Sequence, residues 1–295
     1  MRDDSPSRTA AFVAAARQMG ALLPPSGQLV DDPYGAAFAS PAFARLLDSR
    51  QDSLRPFALI PGLSTWILYM QVRTRVIDDA LREFVAGGGR QLVLLGAGYD
   101  CRALRIPELA DVEVLEVDHP ATQARKKSIL TKIGAHSPSR YVTWDFEQRA
   151  MEDLPDVLAE AGLDVTRPAF TIWEGVTMYL TDAAIDSSLR AIRAWSAPGS
   201  QLAMTYFAKS RITRPSFMTR AMKAVVGAVG EPWKFGWTPD ELPGYLAERK
   251  FRLVRDIAMA EAAHELLPPE MARHVATPDR RFALAAAPES IAVIS

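Results

Sequence analysis

The residues that could do chemistry cluster where apolar runs end. In LVLLGAGYDCRALRI (92–106) an apolar run meets Gly96-Ala97-Gly98-Tyr99-Asp100 and then a segment that opens like a helix. Gly96 and Gly98 let a backbone turn tightly and pass close to a ligand. Two cofactor classes use such a strand-to-helix turn, the dinucleotides and S-adenosylmethionine. A dinucleotide turn requires a third Gly or Ala three residues after the second Gly, and position 101 is Cys. Asp100 would also repel a pyrophosphate, whereas a methionine end carrying an ammonium and a sulfonium tolerates it. The turn favours S-adenosylmethionine, although a lone G-x-G is equally a packing turn.

Further acids follow the same placement. EVLEVD ends in Glu116 and Asp118, the latter 22 residues after Gly96. An acid at that distance and at a strand end is placed to accept bonds from ribose hydroxyls. Alternation puts Glu116 and Asp118 on one face, so one can bind ribose while a neighbouring base holds the other. The competing reading makes Asp118 a cap for the helix begun by Pro120. His119 keeps interest because it follows this acid. YVTWDF ends in Asp145 and Phe146, an acceptor for an exocyclic amine beside an apolar face for adenine. FTIWEG ends in Glu174, expected beside the methyl donor, where it would pair with an ammonium or orient the acceptor. Arg73 and Arg75, on a periodic segment before Gly96, offer a guanidinium for a carboxylate; either reads equally well as a surface arginine. If the acceptor is a hydroxyl, His119, Glu174 and Tyr179 are the candidate bases.

These residues need a scaffold. Strand patterns at 90–98, 111–118, 140–145, 169–175 and 200–207 alternate with helix patterns, the signature of a parallel α/β sheet. Two more strands, FRLVRDIAMA and RRFALAAAP, read as an antiparallel pair with a long connection. The expectation is a seven-stranded, doubly wound, Rossmann-like sheet of the methyltransferase type in a single domain. Residues 1–89 form N-terminal helices, 90–208 the cofactor-binding core, 209–249 a helical lid insertion and 250–295 the C-terminal strands. Within 1–89, SRTAAFVAAARQM follows a possible Ser7 cap, DDPYGAAFASPAFARLL opens on acids and Pro33, and a helix over 64–86 stops at Gly87-Gly88-Gly89. In the lid, Phe217, Trp233, Phe235 and Trp237 read either as an apolar acceptor pocket or as a small packed cap, with Arg211, Arg214 and Arg220 able to steer an anion.

Composition bounds the function. The 295 residues carry 34 basic and 35 acidic side chains, a net charge of −1, so no global field favours nucleic acid or an anionic membrane. Cys101 is the single cysteine, which excludes an internal disulfide. His119, His136, His264 and His274 are scattered without metal-ligand spacing, so no metal is expected. With no bilayer-length apolar stretch and no signal-like start, a cytoplasmic protein is expected. Its partner is a small-molecule or peptide acceptor.

Taken together, DDPYGAAF, RTRVIDD, LLGAGYDCRALRI, LEVDHPATQARKKSIL and WEGVTMYL resemble the leucine carboxyl methyltransferase family. That family includes the enzyme that esterifies the C-terminal leucine of protein phosphatase 2A and bacterial polyketide carboxyl O-methyltransferases. The resemblance implies that Arg73 holds the cofactor carboxylate, Gly96 the ammonium, Asp118 the ribose, Asp145 and Phe146 the adenine, and Glu174 the methionine end. It departs at two points: the lysine found upstream of the acid-Pro-Tyr element in the eukaryotic enzyme is missing, and Cys101 stands where bacterial members often have Thr. A carboxylate acceptor, ionised at neutral pH, needs no base, which suits a chain without an obvious base–nucleophile pair. A hydroxyl or phenol O-methyltransferase of secondary metabolism and a catalytically silent S-adenosylmethionine-binding protein are the alternatives. An NAD-dependent oxidoreductase is disfavoured by position 101.

Overall fold

The computed structural model describes residues 6–58, 60, 62–213, 233–275 and 278–289. Its centre is a seven-stranded sheet in the order β3-β2-β1-β4-β5-β7-β6. The strands are β1 (Gln91–Leu95), β2 (Glu113–Asp118), β3 (Arg140–Thr143), β4 (Phe170–Trp173), β5 (Gln201–Phe207), β6 (Arg252–Ala258) and β7 (Arg280–Ala286). The first five are parallel, and β7 enters between β5 and β6, antiparallel to both.

Strand β1 is buried on both sides: residues 92–95 are apolar without interruption, and the buried Gln91 satisfies its side-chain amide on the Asp164 and Arg167 carbonyls. Leu92 and Leu94 enter one core layer with α4 (Leu63–Ala86), while Val93 and Leu95 enter the opposite layer with Leu115, Trp173 and Leu189. Each such side chain contributes about 1.5–3 kcal/mol through burial. The two faces are therefore set by the two-residue period of a single strand.

The helical N-terminus is as expected at α1 (Arg8–Gln18), where the Ser7 hydroxyl accepts a hydrogen bond from the Ala10 N–H at 3.1 Å. The DDPYGAAFASPAFARLL segment differs, splitting into α2 (Gly35–Ala39) and α3 (Pro41–Ala58). Ser40 precedes proline and is forced into the extended region at φ −161° and ψ 125°, so no single helix can run through it. Helix α4 ends at Gly87 as expected. The sequence reading missed the short helix over Leu154–Glu160, although Pro155 near its start and the buried pair Leu154 and Leu158 are helix signals.

The lid expectation needs correction at its C-terminal end. Residues 214–232, which include Arg214, Phe217 and Arg220, lie outside the described residues. Within 233–249, the helix Leu242–Glu248 sets Leu242 and Leu246 at 0% exposure in the main core. Trp237 packs edge-on against Tyr206, Phe235 and Tyr245, at 5.6, 4.9 and 5.4 Å between centroids. This stretch is core, because its aromatic side chains have the sheet itself to pack on.

Candidate active site

The strand order reverses between β1 and β4, and the residues singled out in the sequence emerge at the carboxyl ends beside that point. Gly96 and Gly98 take φ values of +71° and +53°, a region that favours glycine. The loop is fastened to β2: the N–H groups of Gly96 and Ala97 both donate to the Val117 carbonyl, at 2.9 and 3.1 Å. Gly98 N–H donates to the Asp118 carboxylate. A Cβ on Gly96 would stand 2.8 Å from Val176 Cγ2, so the loop closely faces the chain leaving β4.

Asp118 accepts a second hydrogen bond from the His119 N–H at 2.6 Å. Burial pushes its carboxyl above the ordinary value, against the pull of these two amides. His119 Nε2 comes within 3.6 Å of Asp145 Oδ2, so the structure groups Asp118, His119 and Asp145 beside the glycine loop. His119, not Asp118, caps the helix Pro120–Lys132, its Nδ1 accepting from the Ala121 N–H at 3.2 Å. Phe146, 38% exposed, projects from the same β3 end. Glu116 is different. It is 1% exposed and accepts a hydrogen bond from Lys126, whose ammonium also donates to the Asp100 carbonyl. Of the two acids on this face, Glu116 is therefore the one held by a neighbouring base, as a buried support of the loop.

Glu174 leaves β4 into an arginine clamp. Its Oε1 lies 2.7 Å from Arg73 Nε and its Oε2 accepts from Arg102 Nη1 at 2.9 Å. Arg102 is held in turn by Asp78 at 2.7 Å and by Asp100, and Asp78 also binds Arg105 at 2.7 Å. Burial alone would raise the Glu174 carboxyl, but Arg73, Arg102 and Arg17 override it and hold the group well below the carboxylate range. Asp100 is lowered in the same way: burial opposes, and Arg102 and Arg17 prevail. Arg17 pairs with Asp32 at 2.8 Å and donates to the Tyr99 carbonyl at 2.7 Å, bringing the N-terminal helix into the network.

This arrangement corrects three expectations. Glu174 is a poor base, because two guanidinium groups stabilise its charge. Asp100 is 8% exposed and committed to Arg102. Arg75 pairs with Asp79 at 2.8 Å on a surface where both side chains are more than a third exposed, away from the clamp that holds Arg73. Tyr179 ends the turn Thr177–Tyr179 and packs, partly buried, against Met178, Phe207 and Trp233. The sequence reading missed Arg17, Asp32, Asp78, Arg102 and Lys126. Asp32, Asp78, Arg102 and Lys126 lie within the family-like segments, which was their only signal, and Arg17 lies outside them and had none.

The Arg73 Nε and Glu174 Oε1 atoms are close but misaligned, and each is buried without a hydrogen-bond partner. Gly175, at φ +73°, leaves the space beside Glu174 open: a Cβ there would have only Arg73 Nη1 within 4 Å, at 3.9 Å. A guanidinium, a carboxylate and a glycine-lined opening fit a zwitterionic cofactor end. A separate cleft of about 390 Å³, lined by residues including Lys209, Lys234, Phe235 and Tyr245, contains none of these groups. Among the described residues no cluster of His, Cys, Asp and Glu could hold a metal, and no helix is long and apolar enough to cross a membrane.

A mixed seven-stranded sheet with this strand order and an acid-lined mouth beyond β1, β2 and β4 defines a methyltransferase-type Rossmann-like fold. A methyltransferase of Thermobifida fusca, itself provisionally named, has a solved structure matching with a TM-score of 0.56 at 20% identity over 96% of both chains. The leucine carboxyl methyltransferase family matches over residues 10–193, and the chain belongs to that family. A relative from Mycobacteroides abscessus is 36% identical over 195 residues, 66% of this chain and 62% of that protein. One from Mycolicibacterium vanbaalenii is 35% identical over 228 residues, 75% of this chain and 73% of that protein. Both are provisionally named S-adenosyl-L-methionine-dependent methyltransferases. The chain thus spans just under two thirds of the length of the first of them.

Proposed function

We propose that this chain is an S-adenosylmethionine-dependent O-methyltransferase whose acceptor is a carboxylate, belonging to a small natural product or a peptide C-terminus. The observation that carries the carboxylate reading is the clamp on Glu174. The acid nearest the expected methyl donor is held in its charged form by Arg73 and Arg102, well below the ordinary carboxylate range, which makes it a weak base. A carboxylate is deprotonated near neutral pH without help. A site that only positions and desolvates its nucleophile is sufficient for it.

In this reading Asp118 binds the ribose hydroxyls, held in place by the Gly98 and His119 amides. Asp145 and Phe146 receive the adenine, and Gly96 with Ala97 and Gly98 lines the passage between them. Arg73 and Glu174 hold the methionine end by its carboxylate and ammonium. When bound, the cofactor would supply an electrophilic methyl, whose transfer from sulfur to a carboxylate oxygen would leave a neutral ester and a neutral thioether. The protein's own work is orientation, exclusion of water and a fixed field.

Calorimetric titration with S-adenosylmethionine and, separately, NAD tests the cofactor. Micromolar binding of the former alone is expected; equal binding of NAD overturns the reading. A tritiated-methyl assay over matched acids and phenols tests the acceptor class. Transfer to acids, released as base-labile ester, is expected, and transfer to phenols alone would replace carboxylate with hydroxyl.

A further inference from the structure

The charged groups near the mouth pair off. Arg17 has Asp32, Arg73 has Glu174, Arg102 has Asp78 and Asp100, Arg211 has Asp279, and Arg281 has Asp256. Arg280 is the exception. Among the described residues no carboxylate reaches it, and its Nε is buried with no hydrogen-bond partner. Its guanidinium lies 4.2 Å from the centre of the Tyr69 ring and 5.7 Å from that of Trp66. Burial lowers its pKa from the usual arginine value, and Arg211 and Arg73 add to the effect against Tyr69 and Asp279. An arginine so placed stays charged, and a partly desolvated cation without a partner is an unfavourable arrangement that an arriving anion relieves.

Its place in the fold gives that anion a role. Arg280 opens β7 and pairs with Phe207, the last residue of β5. Since β7 runs antiparallel, its first residue stands at the carboxyl edge of the parallel strands, the edge from which Gly96, Asp118 and Glu174 emerge. Tyr69 lies between Arg280 and Arg73, which is 5.7 Å from the same ring and bound to Glu174. Phe207, Met178 and Trp233 form an apolar cluster beside this point. Among the described residues the edge therefore offers a guanidinium without a carboxylate partner next to an apolar cluster, one step from the cofactor clamp.

We propose that Arg280 is the receptor for the acceptor's carboxylate, with the apolar body of the acceptor against Phe207, Met178 and Trp233. The assignment rests on the carboxylate reading above. It adds a means of product release: methyl transfer removes the acceptor's charge, so Arg280 binds the acid and loses its hold on the ester.

The probes are 1-naphthoate, methyl 1-naphthoate and 1-naphthamide, titrated by calorimetry into protein saturated with S-adenosylhomocysteine. Wild type should bind the acid at least about ten-fold more tightly than the ester or amide, as expected for a charge-assisted pair. Arg280→Gln should erase that difference, Arg280→Lys should keep part of it, and Arg281→Gln, whose native partner is Asp256, should leave it intact. Thermal melts establish that each variant is folded, and S-adenosylmethionine affinity should be unchanged in all. A preserved acid preference in Arg280→Gln overturns the assignment while leaving the carboxylate reading standing. No acid preference in wild type overturns both. Loss of S-adenosylmethionine binding in Arg280→Gln would reassign the residue to the cofactor and likewise overturn it.

Discussion

Glu174 Oε1 lies 2.7 Å from Arg73 Nε, joining the end of β4 to the middle of α4 across 101 residues of chain. Both side chains are at most a tenth exposed. The pair is therefore a fixture of the core as well as of the site, and its removal has consequences for both.

Glu174→Gln leaves Arg73 and part of the Arg102 cluster buried without a counter-charge. Breaking a buried pair in this way costs about 3–5 kcal/mol. Urea unfolding should show a loss of that order, together with weaker S-adenosylmethionine binding. A variant as stable as wild type would mean that the clamp carries no net stabilisation.

The pH dependence of that loss has a defined sign. The folded carboxyl of Glu174 sits below its unfolded value of 4.5, so its stabilisation is complete above that value and declines only as pH falls further. The stability gap between wild type and Glu174→Gln should be flat from neutral pH down to the ordinary carboxylate range and shrink below it. A gap that has closed before that range is reached contradicts the assigned charge state.

Asp118→Asn keeps one acceptor oxygen for the Gly98 or His119 amide but loses the charge. Hydrogen bonds to charged groups contribute about 1.5–3 kcal/mol, so calorimetry should show S-adenosylmethionine affinity falling by roughly ten- to a hundred-fold. Unchanged affinity removes Asp118 from the ribose site.

Gly96→Ala combines a left-handed backbone with a Cβ 2.8 Å from Val176 Cγ2. The backbone component costs about 1–2 kcal/mol. Pairing it with Val176→Ala should recover the steric component and leave the backbone component. Full recovery, or none, in the double variant would show that only one of the two operates.

Arg75→Ala is the contrasting case, since an exposed i,i+4 pair with Asp79 contributes little. Stability and cofactor affinity should stay within about 0.5 kcal/mol of wild type. A large loss of cofactor binding would return Arg75 to the site.

Much of the fold was legible because it rests on local pattern. The apolar run 92–95 of β1, the glycines ending α4 and the Ser7 cap are each set by neighbours a few residues away. Gly96, Gly98, Asp118 and Asp145 were legible for the same reason, since a strand end is itself a local feature. The family-like segments marked the rest without explaining it. RTRVIDD supplies Arg73 and Asp78, GAGYDCRALRI supplies Asp100, Arg102 and Arg105, and WEG supplies Glu174, and these charges make one connected network.

What the chain could not announce by itself was which charge meets which. Arg73 and Arg75 are equal in type and two residues apart, yet their positions on α4 aim one at Glu174 and the other at a surface aspartate. Glu116 and Asp118 share a strand face, yet Lys126 takes the first, while the second stands at the strand end beside Gly98. Arg280 looks like any other arginine until its neighbours are seen to have carboxylate partners and it has none among the described residues. Sequence determines where strands end and which residue types stand there, because those follow from short-range periodicity and backbone stereochemistry. Burial and charge pairing depend on distances across the sheet between residues far apart in the chain, and only the tertiary structure fixes those distances.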